Sequence, residues 1–221
     1  MKKQYSMLPE SMKHMEMYGF NWMEFVVGVP SPLYIMTSYK SNGLTNACMQ
    51  SWTTFTGRKN GYFAIVSSVS KYGHLYKTLH ETGEAVINFM SADLYDKCMS
   101  TCKNNGYETD EIKTAGLTPV KAEMVNAPLI EECFMNLECR YKWEKEIAEG
   151  DDYVLVCLEI VNVHIDERHI DENDLGRTGE TGILYNIHHP INPESFSGTA
   201  HDYVGIVKRY GIIPSIEQYD I

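Results

Sequence analysis

Apolar and polar residues alternate from 135 to 147. Met135, Leu137, Cys139, Tyr141, Trp143 and Ile147 take one set of positions. Asn136, Glu138, Arg140, Lys142, Glu144 and Glu146 take the other. A period of two over that length predicts a long strand with one wet face. After the turn "AEGDD" comes "YVLVCLEIVNVHI" (153–165), nearly continuous in apolar β-formers. That is the pattern of a strand covered on both faces, so the two segments predict a long hairpin. Upstream, "PLYIMTSY" (32–39) predicts a strand entering the turn "KSNG", and "LTNACMQSWTTF" predicts a second extended segment. "GYFAIVSSV" (61–69) predicts a third strand and "AVINF" (85–89) a short buried one. Tyr72, Leu75, Tyr76 and Leu79 recur at helical spacing, with Gly83 as a stop. A second helix is predicted from Ser91, with Leu94, Cys98, Met99 and Cys102 on one side and Gly106 past its end. Many strands with few helices predict a mainly β fold, a closed or partly closed barrel with helices as plugs. Residues 166–221 read as a charged, loop-rich extension. No linker or repeat divides the chain, so 1–221 reads as one domain.

The totals narrow the functions open to such a fold. A formal net charge of −11 repels phosphate backbones, which argues against nucleic acid as a partner. No apolar run reaches membrane-spanning length, and the N-terminal "MKKQYSMLPESMKHMEM" lacks the apolar core of a signal peptide. The six cysteines lack the dense spacing of a disulfide scaffold, and with twelve methionines they point to a reducing cytoplasm.

Two segments carry candidate chemistry. In "SSVSKYGH" (67–74) a strand ends among serines where a helix begins, with Ser70 as a candidate N-cap and Lys71 and His74 as further donors. A helix start with such donors suits a phosphate; a plainly capped surface helix gives the same pattern. In "NACMQSWTTF" (46–55), Asn46, Gln50, Ser51, Thr53 and Thr54 can hydrogen-bond the edge of a flat heteroaromatic ring and Trp52 can pack on it; a half-exposed strand with a core tryptophan is the other reading. The remaining motifs give less. Cys98 and Cys102 in "CMSTC" read as two buried helix cysteines, because no second pair completes a metal set. "HIDERHIDEND" (164–174) reads as solvated charge and "GRTGETG" (176–182) as a mobile loop. "IHHPINPESF" (187–196) lacks the companions of a metal site, and no nucleophile elbow is present.

In order along the chain, "PLYIMTSYKSNGLTNACMQSWTTF", "SKYGHLYKTLHETGEAVINF" and "EIKTAGLTPVKAEMVNAPLIEECFMNLECRY" resemble the flavin reductase-like proteins, most closely the flavoredoxin branch. The resemblance is strongest over residues 25–165. It implies an FMN-binding split β-barrel with non-covalent FMN, working as a homodimer with the flavin near the subunit interface. The segment holding Asn46, Met49, Gln50, Ser51, Trp52 and Thr53 would line the flavin ring and ribityl chain. Ser68, Ser70, Lys71 and His74 would hold the phosphate. Family members often carry Arg and Thr where Lys71 and His74 stand; Lys keeps the charge without the planar fork. The cofactor would supply the redox chemistry, which leaves no catalytic side chain to name. The resemblance implies an FMN-dependent oxidoreductase using NAD(P)H. Two alternatives stand beside it: a flavoredoxin-type electron carrier fed by a redox protein, and a barrel for another ligand such as haem or a pyridoxal-type phosphate.

Overall fold

The computed structural model describes residues 28–170, 181–187 and 204–208, with residues 1, 2, 4–7, 10 and 176 besides. Seven antiparallel strands form the main sheet, in the order β3-β2-β6-β9-β10-β5-β4. They are β2 (Tyr34–Tyr39), β3 (Thr45–Gln50), β4 (Thr53–Arg58), β5 (Gly61–Ser70), β6 (Glu84–Phe89), β9 (Met135–Glu146) and β10 (Tyr153–Ile165). The two edge strands, β3 and β4, are consecutive in the chain and separated only by Ser51 and Trp52. The sheet therefore curls until its first and last edges meet at that corner. A hydrogen bond between the Tyr34 hydroxyl on β2 and Thr53 on β4 spans the closure. This is the expected mainly β split barrel with peripheral helices.

The extended segment read through "LTNACMQSWTTF" is thus two strands, broken where Trp52 takes a positive φ of 46°. Helix α1 (His74–Thr82) closes one end of the barrel. Its Leu75 and Leu79 are buried with Met36, Val69, Ala85, Val154 and Val156 in the barrel core. It ends at Gly83, whose φ of 71° is left-handed and whose N–H bonds to the Leu79 carbonyl. A Cβ on Gly83 would meet nothing within 4 Å. Gly83→Ala should therefore cost only the backbone strain, about 1–2 kcal/mol, read as a lower midpoint in urea.

Helices α2 (Tyr95–Lys103) and α3 (Glu111–Thr114) cover the outer face of β2 and β3, where Ile35, Ala47, Cys98, Ile112 and Ile130 form a second core. Helix α2 is preceded by a 3-10 turn over Ala92–Leu94, so the regular helix starts later than Ser91. Cys98 is buried, but Cys102 is exposed, against the reading of both as buried; all six cysteines are free.

Two features correct the reading of the long hairpin. First, the face of Asn136 and Glu138 is dry. The paired strands β7 (Pro119–Lys121) and β8 (Pro128–Ile130), with the loop between them, lie over it and leave both residues buried. Second, the β9–β10 register shifts between Cys157 and Leu158, leaving Lys142 as the extra residue. A one-residue slip swaps faces. Beyond it Trp143 is 45% exposed, while Glu144 meets Tyr76 of α1. Among the described residues after 166, β11 (Ile183–Asn186) and β12 (Val204–Val207) form a small sheet with β1 (Ser31–Pro32). Residues 188–196 of "IHHPINPESF" and 177–180 of "GRTGETG" lie outside the described residues.

Candidate functional site at the barrel corner

Strand β3 divides its candidates between two faces. Asn46, Cys48 and Gln50 share one; Thr45, Ala47 and Met49 share the other. Asn46 is buried, and its amide donates to the Ser38 hydroxyl, which pairs in turn with Thr78 of α1. Met49 packs with the α2 core. So Asn46 and Met49 do not converge on one point, whereas the corner itself does gather residues.

At that corner, among the described residues, stand the two non-glycine positions with positive φ, Trp52 at 46° and Ser68 at 58°. They belong to one local unit. The Ser67 N–H and the Ser67 hydroxyl both donate to the Trp52 carbonyl, at 3.2 and 2.7 Å. The β5–β10 register shifts between Val154 and Val156, which places Ser67 and Ser68 in a bulge. The Thr53 hydroxyl donates to the Ser51 carbonyl at 2.9 Å. Two strained residues held against each other cost of order 1–3 kcal/mol each, and such strain clusters at ligand sites.

Strand β5 then runs into the turn that starts α1. Ser70 is not the N-cap. Gly73 holds that position, and Ser70 instead accepts from the Tyr72 N–H (3.3 Å) and the Gly73 N–H (3.1 Å). Tyr72 precedes the helix and is 80% exposed, so it leaves the predicted stripe. No side chain caps the first turn of α1, and no acidic residue stands in it. The opening N–H groups remain available to an anion.

The two basic side chains of this turn are already engaged. Lys71 Nζ bonds to the Glu146 carboxylate and, at 2.5 Å, to the Asp151 carbonyl. The hydrogen bond with Glu146 raises the Lys71 pKa and lowers that of Glu146. His74 stands edge-on to Tyr107, with ring centroids 5.3 Å apart, and its Nδ1 lies 3.6 Å from Glu111. Glu111 is buried, with Lys40 Nζ 2.7 Å away, and it accepts the Ala47 N–H at 2.7 Å. This carboxylate ties edge strand β3 to the start of α1. Sequence reading passed over it, because one Glu in "DEIK" has no periodic or motif signal.

The reading of "HIDERHIDEND" as solvated charge holds for Glu167 and Arg168, exposed on a 3-10 turn over Glu167–His169, but not for the two histidines. His164 bonds to buried Glu138 at 2.5 Å. His169 is buried against Phe134. Residues 171–174 lie outside the described set.

A family model described as a flavin reductase like domain matches residues 26–186, well over half the chain. The protein belongs to the flavin reductase-like family. A protein of Methanothermobacter thermautotrophicus is 25% identical over 140 residues, which cover 63% of this chain and 65% of that relative. The chain therefore matches just under two thirds of that relative's length. Nitrilotriacetate monooxygenase component B from Bacillus cereus superposes with a TM-score of 0.75 at 17% identity, covering 96% of this chain and all of the other. Flavoredoxin of Desulfovibrio vulgaris (Miyazaki F) superposes with a TM-score of 0.70 at 20% identity, covering 97% and 98%. At these identities the two structures support the shared split-barrel fold. Among the described residues, no helix is long and apolar enough to cross a membrane.

Proposed function

We propose that this flavin reductase-like protein is an FMN-dependent oxidoreductase that draws electrons from NAD(P)H, with the flavin seated on the Trp52–Ser68 corner. The observation that carries the reading is the conjunction there of two strained residues with an uncapped helix start. The opening N–H groups of α1, with Ser70 and Lys71, suit a terminal phosphate in both charge and donor geometry. Ser51, Trp52 and Thr53 sit one strand away, on the corner that the bulge of β5 braces. Their backbone and hydroxyl groups suit the edge of a flat heteroaromatic ring. When bound, FMN would accept a hydride from a reduced nicotinamide and hand two electrons to an acceptor. The chain binds, orients and excludes water. Glu111 supports the site from behind by fixing β3 through Ala47 and standing beside His74.

A second copy of the chain suits this face. Trp143, Ile147 and Tyr153 flank the β9–β10 turn in sequence, Tyr72 beside Lys71 bonds through its hydroxyl to Asp152 of that turn, and all four are exposed. Their burial in a homodimer would place the flavin near the interface. The same acidic chain would serve a flavoredoxin-type carrier, and one experiment separates the two. FMN-loaded protein is mixed with NADH or NADPH without oxygen and followed at the flavin absorbance band. Bleaching within the mixing time of a stopped-flow instrument supports the oxidoreductase. A flavin that stays oxidised with either nucleotide, yet bleaches with a reduced redox protein, identifies the carrier.

A further inference from the structure

We infer that the end of the barrel opposite α1 is a second ligand site, built for a small fused-ring aromatic molecule carrying one hydrogen-bonding oxygen. A cavity of about 750 Å³ lies there, within the size range of small-molecule sites. The register fixes its place. Val69 pairs with Val154 beside α1, whereas Tyr62 pairs with Ile160, seven residues along β5. At the strand rise that is roughly 20 Å from the phosphate-binding end.

The lining explains several otherwise costly side chains. Val163 and Ile165 of β10 are 47% and 43% exposed because they face this space. The rings form a continuous series. Phe55 and Phe89 have centroids 5.8 Å apart, Phe89 and Phe134 6.5 Å, and Phe134 stacks on His169 at 4.8 Å with 17° between planes. Tyr185 adds a further ring from the small sheet. Such tilted and stacked walls accept a flat aromatic guest at favourable offsets.

The buried polar feature is His169. It is 91% buried, because its exposure is only 9%. It lines the cavity, and its Nδ1 is buried with no hydrogen-bond partner among the described residues. Buried polar atoms are nearly always paired, so this ring is the position at which a guest's oxygen gains most. Thr53, Thr54, Tyr62 and Tyr185 bring further hydroxyls to a wall that is otherwise apolar and carries no charged side chain among its described residues, which selects a naphthol-like or quinone-like molecule over a charged one. Thr53 sits both at the flavin corner and on the cavity rim, so a guest would lie within reach of the proposed redox centre. Binding itself does not depend on flavin.

The test titrates the full-length protein with 2-naphthol and with 2-methylnaphthalene, its near-isostere without the hydroxyl, by calorimetry. One 2-naphthol per chain should bind, about tenfold tighter than 2-methylnaphthalene, the scale of one net hydrogen bond. His169→Phe keeps the stack on Phe134 and should erase the preference by weakening 2-naphthol alone. Val163→Trp, a substitution at a half-exposed position, should fill the cavity and weaken both probes at least tenfold. Saturating FMN should displace neither. The proposal fails if folded protein takes up no 2-naphthol, or if Val163→Trp binds both probes as the parent does. Displacement by FMN would also overturn it, because the cavity would then be part of the flavin site. A protein that binds 2-naphthol but no FMN would leave this inference standing and remove the flavin reading.

Discussion

Glu138→Ala is expected to lower the unfolding free energy by about 3–5 kcal/mol, the scale for stripping one partner from a buried ionic cluster. Glu138 has no exposed surface. Its carboxylate accepts the backbone N–H groups of Glu123 (3.1 Å), Met124 (2.6 Å) and Val125 (3.0 Å), which pins the β7–β8 loop over the sheet. It also meets Asn162 at 2.9 Å and His164 at 2.5 Å. Removing it orphans several donors at once. Burial alone would raise the Glu138 pKa, but the bonds from His164, Asn162 and the backbone outweigh it and bring it to about 2, below the ordinary 4.5. A carboxyl depressed in the folded state contributes stability that is full above its unfolded value and is lost as pH falls through the folded one. The gap between parent and Glu138→Ala in urea should therefore be full at pH 7 and shrink from pH 4.5 towards pH 2. A gap under about 1 kcal/mol at pH 7 would mean that the cluster is not an anchor.

Lys71→Ala should weaken FMN about ten- to a hundredfold, the scale of a charged hydrogen bond, and leave riboflavin, which lacks the phosphate, unchanged. The structure adds a sign to this expectation. Lys71 is held by Glu146 and by the Asp151 carbonyl, so a phosphate must compete for it. Glu146→Gln releases Lys71 from a full negative charge and should tighten FMN, opposite to Lys71→Ala. Riboflavin and FMN titrations of the two variants decide it. Equal weakening of both ligands by Lys71→Ala would remove Lys71 from the phosphate site.

Much of the barrel was legible because its strands keep simple periods. The alternation over 135–141 and the apolar run from 153 placed the central hairpin, and Leu75, Leu79 and Gly83 placed α1. What was hidden is tertiary. Asn136 and Glu138 read as wet because no local pattern shows that residues 119–130 fold back over them. The slip at Lys142 cannot be seen in a sequence whose alternation continues unbroken through it. The break at Trp52 was missed because a β-favouring aromatic masks a left-handed residue whose carbonyl is held by Ser67, fifteen positions along the chain. The candidate site was legible as segments but not as geometry. "SSVSKYGH" marked the helix start, yet the cap falls on Gly73, and nothing local showed that Glu146 would hold Lys71. Glu111 and His169 act through partners far away in the chain, which no short window contains.

If the Trp52–Ser68 corner and the start of α1 bind FMN, the protein carries the flavin through purification, and a visible spectrum reads it. Protein is purified with added FMN, desalted and scanned, then denatured to test for release. A retained flavin spectrum with the cofactor freed intact is the predicted result. A colourless protein that also gives no signal in an FMN titration would contradict it.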